Sequence, residues 1–458
     1  MKINIKNVGA ISEAAVNNSG LTIITGLNGS GKSSFAKALI SVLSSLENVN
    51  QHYHSDRRTF SINRIKQVLK YAIVDDNSFR SGETRDLFPV LFAFYTNERS
   101  IDDNNLESAL HALRNEIVSN KDLLYRLGGQ HVFELVQKRN SLKEEFNRML
   151  FNEFNEAFNT IYSLLASHRS LNEYIYDKVS FQLDETFSGQ FFPLLRGEQG
   201  FSSISLRDDN FSFDYRRPFP SRNETGKQLF VDLPYFPFNA YYISDANSID
   251  NIKNIKKRRK NPESFYKESN GIWSLSFEDK LFNDLVSEST ISDYGLNEEK
   301  YSSIMRIFDS TINYELRIVE NSLVTSNGGL LISNEASGSK IFIILKTLLL
   351  KGLVDKNTLF ILDEPENHLH PEWQKQLGRC IDEMCFYTGC KFIVITHSPS
   401  LLLSLDVFGN KLKENQRFNV YFCEKNNGYS NFVEYTNEID KAHKKLNEPY
   451  IVMDLFGK

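Results

Sequence analysis

The sequence predicts an α/β fold with a mixed central sheet, an antiparallel side sheet and an inserted helical region. Three observations carry that prediction. The apolar run Leu21 to Thr25 breaks into a glycine-rich loop and then opens a helix. Two late apolar runs, Thr358–Leu362 and Phe392–Ile395, each end in polar residues, as buried parallel strands do at a ligand-binding edge. The stretch Phe201–Arg216 reads as a hairpin, with Ile204 and Leu206 answering Phe211, Phe213 and Tyr215 across the polar turn Asp208-Asp209-Asn210. A hairpin is antiparallel and so belongs to a side sheet rather than to the parallel core.

At 458 residues the chain suits one large or two modest domains. Its formal net charge of -5 and pI of about 6.1 exclude bulk attraction of nucleic acid or acidic lipid, so any such contact has to be a local patch. No run of eighteen apolar residues occurs, and the first residues lack the zones of a signal peptide; a cytoplasmic protein is expected. Of the four cysteines, Cys380, Cys385 and Cys390 recur every five residues without C-x-x-C spacing, which favours buried reduced thiols over a metal site.

Taken in order, Met1–Val16 alternates apolar and polar residues and predicts a short strand pair beside the loop strand. A helix is expected near Ile65–Ala72. Leu106 to about Tyr176 has helical composition, with Leu110, Leu113 and Ile117, then Leu142, Phe146, Leu150 and Phe154, at three- and four-residue spacing. Gly128-Gly129 breaks this region into a helix pair, either an arm or a packed subdomain. Ala240–Ser244 reads as a central strand, and further strands are expected at Tyr314–Glu320 and Gly329–Ser333, with a helix near Glu298–Phe308 before them. The basic run Lys253–Lys260 suits a solvated loop, a phosphate contact or a docking surface for an acidic partner. Towards the end come a helix at Leu401–Leu405, an antiparallel pair around Val420–Cys423 and Phe432–Tyr435, and a helix from Glu438 to Leu455.

The chemistry concentrates at four places. Gly26-Leu27-Asn28-Gly29-Ser30-Gly31-Lys32-Ser33 fits the G-x-x-x-x-G-K-[ST] phosphate-binding loop, followed by Ser34 and an amphipathic helix to Leu46. Its glycines let backbone N–H groups of Asn28 to Ser34 curl around an anion at a helix start, where the dipole favours negative charge. Lys32 can reach the β- and γ-phosphates of ATP, and Ser33 can ligate Mg²⁺. At average glycine usage of about 7% the pattern arises by chance in roughly 2% of chains this long, so the loop is a specific signal. Asp363, at a strand's carboxyl end, suits the hydration shell of Mg²⁺, and Glu364 suits orientation or deprotonation of an attacking water. His397 ends the next apolar run, where an imidazole can hydrogen-bond the γ-phosphate and hold Glu364 and the water in line.

Phosphate loop, Ser337-Gly338 helix start, Leu362-Asp363-Glu364-Pro365 strand end and Thr396-His397-Ser398 strand end, in this order, resemble the ABC-type ATPase fold of SMC proteins, OLD-type proteins and the stand-alone AAA-family ATPases of bacterial defence operons. The resemblance implies a head-to-tail dimer with two ATP molecules sandwiched, in which Ser337 and Gly338 contact the γ-phosphate held by the other subunit. The family's L-S-G-G-Q reads Ala336-Ser337-Gly338-Ser339-Lys340 here, and Lys340 adds a charge that can also reach phosphate. Leu369-His370-Pro371-Glu372-Trp373-Gln374 resembles the D-loop and following helix of the non-transporter branch, so His368 and His370 are expected in interface and loop-packing roles rather than as a metal pair. Glu438-Ile439-Asp440-Lys441 near the end resembles the compact PtuA- or AriA-like ATPases that stand beside a separate effector in the Septu and PARIS antiviral systems. On this resemblance the ATPase domain spans 1–100 and 181–458, with a helical insertion at 101–180. The function it implies is an ATP-driven dimer controlling a companion nuclease or toxin. The alternatives are an SMC-like DNA-binding ATPase of repair, clamping DNA through Lys253–Lys260, and the nucleotide-binding subunit of a transporter.

Overall fold

The computed structural model describes residues 1–49, 53, 89–90, 106–119, 148, 151–162, 171–192, 200–209, 211–219, 228–232, 238–244, 267–269, 272–274, 277–287, 298–312, 314–319, 322–326, 329–426 and 428–456. The helix expected at Ile65–Ala72, the Gly128-Gly129 break and the basic run Lys253–Lys260 lie outside these residues. The chain divides into two compact units, one of Met1–Glu47, Ile175–Lys267 and Ser274–Lys458, the other of Asn48–Tyr174 and Glu268–Trp273. The division falls at 47/48 and 174/175, where the sequence reading set its boundaries at 100/101 and 180/181.

The first unit is built on one sheet of eleven strands. β1 (Lys2–Val8), β2 (Ile11–Asn17) and β3 (Leu21–Gly26) open the chain, and α1 (Lys32–Leu46) follows the loop. Much later in sequence come β4 (Phe201–Asp208), β5 (Phe211–Pro218), β6 (Gln228–Asp232) and β7 (Asn239–Ile243). The short strands β8 (Lys267–Ser269) and β9 (Ile272–Ser274) pair with each other, as do β10 (Leu316–Val319) and β11 (Ser322–Thr325). β12 (Thr358–Asp363), β13 (Lys391–Thr396), β14 (Phe418–Asn426) and β15 (Tyr429–Glu434) complete the set. The order in the large sheet is β6-β5-β4-β1-β2-β15-β14-β3-β13-β12-β7.

From β14 through β3, β13 and β12 to β7 every pairing is parallel. β3 and β12 are buried along their whole length and β13 along nearly all of it, which is why they read as unbroken apolar runs. The antiparallel strands β1, β2, β4 and β5 alternate: in β1 the buried residues are Ile3, Ile5 and Val8. The predicted hairpin forms with Ile204 opposite Tyr215 and Leu206 opposite Phe213, and it continues the large sheet by pairing β4 with β1. The C-terminal pair joins both regions, β14 lying beside β3 and β15 beside β2.

Two expectations are corrected. Ala240–Ser244 is not central, because β7 ends the strand order with β12 as its neighbour. Its outer edge is covered instead by the helix Phe277–Val286, whose Lys280 Nζ donates to Asn239 Oδ1 (2.6 Å) and to the Ala240 carbonyl (3.0 Å). Gly329–Ser333 forms no strand; a single bridge joins Val324 to Leu331, and Ile332–Asn334 turns as a 3-10 helix. In the second unit the helix Leu106–Ser119 buries Leu110, Leu113 and Ile117, and the helical residues 151–162 bury Phe154, Phe158 and Ile161. His111 and Tyr162 meet with ring centroids 5.0 Å apart, so the described part of this unit is a packed helical cluster.

Three helices matter for the site. Ser337–Leu350 is buried almost all round, as its Ile-Phe-Ile-Ile-Leu composition requires. Pro371–Thr388 starts with His370 capping the Glu372 N–H and ends at Gly389, whose φ of 79° favours glycine. Pro399–Phe408 is capped by Ser398, which accepts from the Leu401 N–H. All four cysteines are buried and free.

Asp382, on the helix Pro371–Thr388, is 5% exposed, and one of its carboxylate oxygens has no hydrogen-bond partner. Burial pushes its carboxyl up to about 6, with Glu383 adding to the effect. Folding therefore favours the protonated form, whose stabilisation is complete below pH ~4 and is lost as pH rises through about 6. The rise from about 4 to about 6 caps the penalty near 3 kcal/mol, and solvent screening brings the expected value to ~1 kcal/mol. Asp382→Asn should raise stability by ~1 kcal/mol at pH 8, with the gain fading towards pH 4, in urea melts compared across that range.

Candidate functional site

The strand order brings the sequence-predicted residues to one edge. β13 lies between β3 and β12, with Thr396 opposite Thr25 and Ile395 opposite Asp363. The phosphate-binding loop, the carboxylate pair and the histidine thus leave the carboxyl ends of three adjacent parallel strands, the place where open α/β sheets bind ligands.

In the loop, Gly29 (φ 69°) and Gly31 (φ 83°) adopt the left-handed backbone that turns successive N–H groups inward. A Cβ on Gly31 would come within 3.1 Å of Ile11, whereas one on Gly29 would meet nothing within 4 Å. Asn28 and Gly29 are exposed, Ser30 and Lys32 buried, and Ser33 and Ser34 half-buried. The Lys32 ammonium donates to the carbonyls of Gly26 (2.9 Å) and Leu27 (3.0 Å). Burial holds it below the ordinary lysine value, opposed by Cys423, Glu364 and Asp363.

Ser33 Oγ donates to Asp363 Oδ1 at 3.1 Å, although the two residues stand far apart in sequence. Tyr242 donates its hydroxyl proton to Asp363 Oδ2 at 3.0 Å, so each carboxylate oxygen has its own donor. Burial raises the Asp363 carboxyl, and these two hydrogen bonds oppose the rise. A hydroxyl and a carboxylate this close form an all-oxygen donor set of the kind Mg²⁺ takes, so the residues fit that ion.

Glu364 holds a left-handed backbone (φ 55°) while its N–H donates to the Ile395 carbonyl at 2.8 Å. That conformation costs a non-glycine residue about 1–3 kcal/mol and turns the side chain out of the strand direction. Glu364 Oε1 stands 3.3 Å from His397 Nδ1, and Oε2 accepts from Asn367 Nδ2 at 3.4 Å. Both side chains are about one-third exposed, at 32% for Glu364 and 38% for His397, so the pair is open to a ligand.

Ser337, Gly338 and Lys340 lie on the first turn of the helix Ser337–Leu350, packed on the loop after Glu364. A Cβ on Gly338 would reach within 3.0 Å of the His368 carbonyl and of Leu369, so glycine is what permits this approach. Ser337 is half-buried, and Gly338 and Lys340 are buried. His370 serves as a helix cap, and Trp373 packs edge-on against Phe342. Among the described residues no group of His, Cys, Asp and Glu side chains is arranged to hold a metal ion by itself.

Two residues escaped the sequence reading. Tyr242 becomes visible only once β7 is known to lie beside β12. Glu366 is a third carboxylate within four residues of Asp363, and that density was the available signal; it is 6% exposed beneath the histidine.

A glycine-rich loop, a carboxylate pair and a histidine on adjacent parallel strands define a P-loop nucleotide-binding α/β protein. Residues 1–402 match the family of the AAA ATPase domain, and the chain belongs to that family. No curated protein sequence matches it. Among solved structures, the SMC head domain from Thermotoga maritima is 12% identical, with 94% of this chain and 97% of that chain covered and a TM-score of 0.35. An SmcHead bound to the C-winged helix domain of ScpA is 12% identical, covering 96% and 98% at a TM-score of 0.43. An Smc head domain with an extended coiled coil, bound to the C-terminal domain of ScpA derived from Pyrococcus furiosus, is 12% identical, covering 98% of each chain at 0.38. No helix among the described residues is long and apolar enough to cross a membrane.

Proposed function

We propose that this chain hydrolyses ATP, dimerises around it in the ABC manner and thereby controls a separate effector, a nuclease or toxin, in antiviral defence. The observation that carries the hydrolytic part is the 3.1 Å bond from Ser33 to Asp363, with Glu364 and His397 3.3 Å apart beside it. Backbone N–H groups of Asn28 to Ser34 wrap the β- and γ-phosphates, and Lys32 exchanges its two loop carbonyls for phosphate oxygens. Ser33 and Asp363 would hold Mg²⁺, Asp363 through water, and the ion when bound neutralises charge on the phosphates. Glu364 accepts a hydrogen bond from the attacking water and orients it in line; His397 holds Glu364 in place.

The second half of the sandwich is the start of the helix Ser337–Leu350. The positive end of its dipole and the Ser337 hydroxyl suit a γ-phosphate presented by another copy. Lys340 is buried in the single chain and would reach that phosphate only after rearrangement of the helix start. The effector rests on the resemblance of the Glu438–Lys441 motif to the compact defence ATPases, and Leu369–Gln374 supports only the non-transporter branch. The DNA-clamp alternative rests on Lys253–Lys260, which lies outside the described residues.

The test is the mass of the complex purified with its operon neighbours, weighed with and without ATP and Mg²⁺, alongside phosphate release. ATP should double the copies of this chain per particle and retain a second polypeptide in fixed ratio. A mass indifferent to ATP removes the dimer, and salt-sensitive DNA binding without a second polypeptide favours the clamp.

A further inference from the structure

Glu366 follows Pro365 in the loop after β12, yet its carboxylate is buried beneath the end of β13. One oxygen does most of the bonding. Oε1 accepts from Thr396 Oγ1 at 2.6 Å, from the His397 N–H at 3.0 Å and from the Ser398 N–H at 3.2 Å. The same oxygen stands 3.5 Å from His397 Nδ1 and Glu364 Oε1 stands 3.3 Å from it, but neither approach is aligned as a hydrogen bond, and Nδ1 is buried without a hydrogen-bond partner. Glu366 Oε2 is buried without a hydrogen-bond partner.

This is an expensive arrangement for a residue that merely fills space. Burial raises the Glu366 carboxyl, and the hydrogen bonds from Thr396 and His397 oppose that rise. Charge-assisted hydrogen bonds to backbone N–H groups are among the stronger ones proteins make, and two here fix the turn that carries His397. Two carboxylate oxygens this close favour N–H at that ring nitrogen by charge, since a lone pair there would face two anions.

We propose that Glu366 is a positioning residue: it locks the Thr396–Ser398 turn and holds the proton of His397 on Nδ1, so that Nε2 is left for the nucleotide side. The assignment rests on the hydrolytic reading above for its purpose, but not for its geometry. Glu364 is exposed enough to swing towards water, whereas Glu366 is held by three donors and cannot follow. The histidine therefore keeps its orientation when Glu364 moves, and the two carboxylates divide the work: one touches the water, the other fixes the imidazole.

The experiment labels the histidines of the full chain with ¹⁵N and identifies His397 by its loss in His397→Gln. In the wild type, His397 should show Nδ1 protonated; in Glu366→Gln the two tautomers should both be populated. kcat for ATP should fall about tenfold with KM within about twofold, as expected when a group is misplaced without loss of ground-state binding. Thr396→Val, which removes one donor to Glu366 and leaves both carboxylates, should move both readouts the same way by about threefold, and it serves if Glu366→Gln does not fold. Unchanged ¹⁵N signals in a folded Glu366→Gln protein overturn the proposal, whether or not kcat falls. A wild-type chain that releases no phosphate would instead sink the hydrolytic reading, and the ¹⁵N readout would still decide the role of Glu366.

Discussion

Lys32→Ala should abolish ATP binding, raising Kd at least 100-fold in calorimetric titrations of the purified chain. The lysine is the one loop cation placed to meet the terminal phosphates, and a charge-assisted contact to a buried anion is worth well over 2.7 kcal/mol, the free energy of that factor. It also closes the loop, since its ammonium donates to the carbonyls of Gly26 and Leu27. A thermal melt must therefore accompany the titration: the expected variant is folded and ATP-blind. Lys32→Arg should bind weakly, because a guanidinium is too large for a loop in which Lys32 is 4% exposed. A Kd for Lys32→Ala within threefold of the wild type would remove the loop from the site.

Glu364→Gln should lower kcat by 10²- to 10³-fold while leaving ATP binding within about threefold, the range expected when a general base is lost. Glutamine keeps the length and hydrogen-bonding ends of the side chain, so the left-handed backbone at this position and the bond from the Glu364 N–H to Ile395 need not change. With turnover stalled, the ATP-bound dimer should accumulate and be visible as a doubled mass that persists for hours after ADP would have formed. Binding energy at two composite sites then appears as a population shift between open and closed pairs. Wild-type turnover in this variant would strip Glu364 of its role and leave its strained backbone without an account.

The residues of the site and the connections among them differ in how much a sequence can reveal. That Gly26 to Ser33, Asp363, Glu364 and His397 meet at one sheet edge was legible, because each stands where an apolar run stops. Tyr242 was not, because its bond to Asp363 depends on which strand neighbours β12, a non-local fact. Glu366 was hidden for the same reason, since its partners arrive with β13. The pairing of Ser430 with Ile11, which joins the antiparallel strands to the parallel ones, has no local signature at all. Alternation reveals that Ile204 and Leu206 share a face; it cannot reveal that their strand hydrogen-bonds to β1.

The placement of β3 has a consequence for the making of the protein. Leu21 pairs with Phe392 on one side and Phe418 on the other. The loop that grips the triphosphate is therefore translated early, but both strands that flank it emerge from the ribosome on the order of tens of seconds later. A nascent or truncated chain exposes an unpaired apolar ribbon and should be ATP-incompetent. Nucleotide binding then doubles as a certificate that synthesis has passed residue 423.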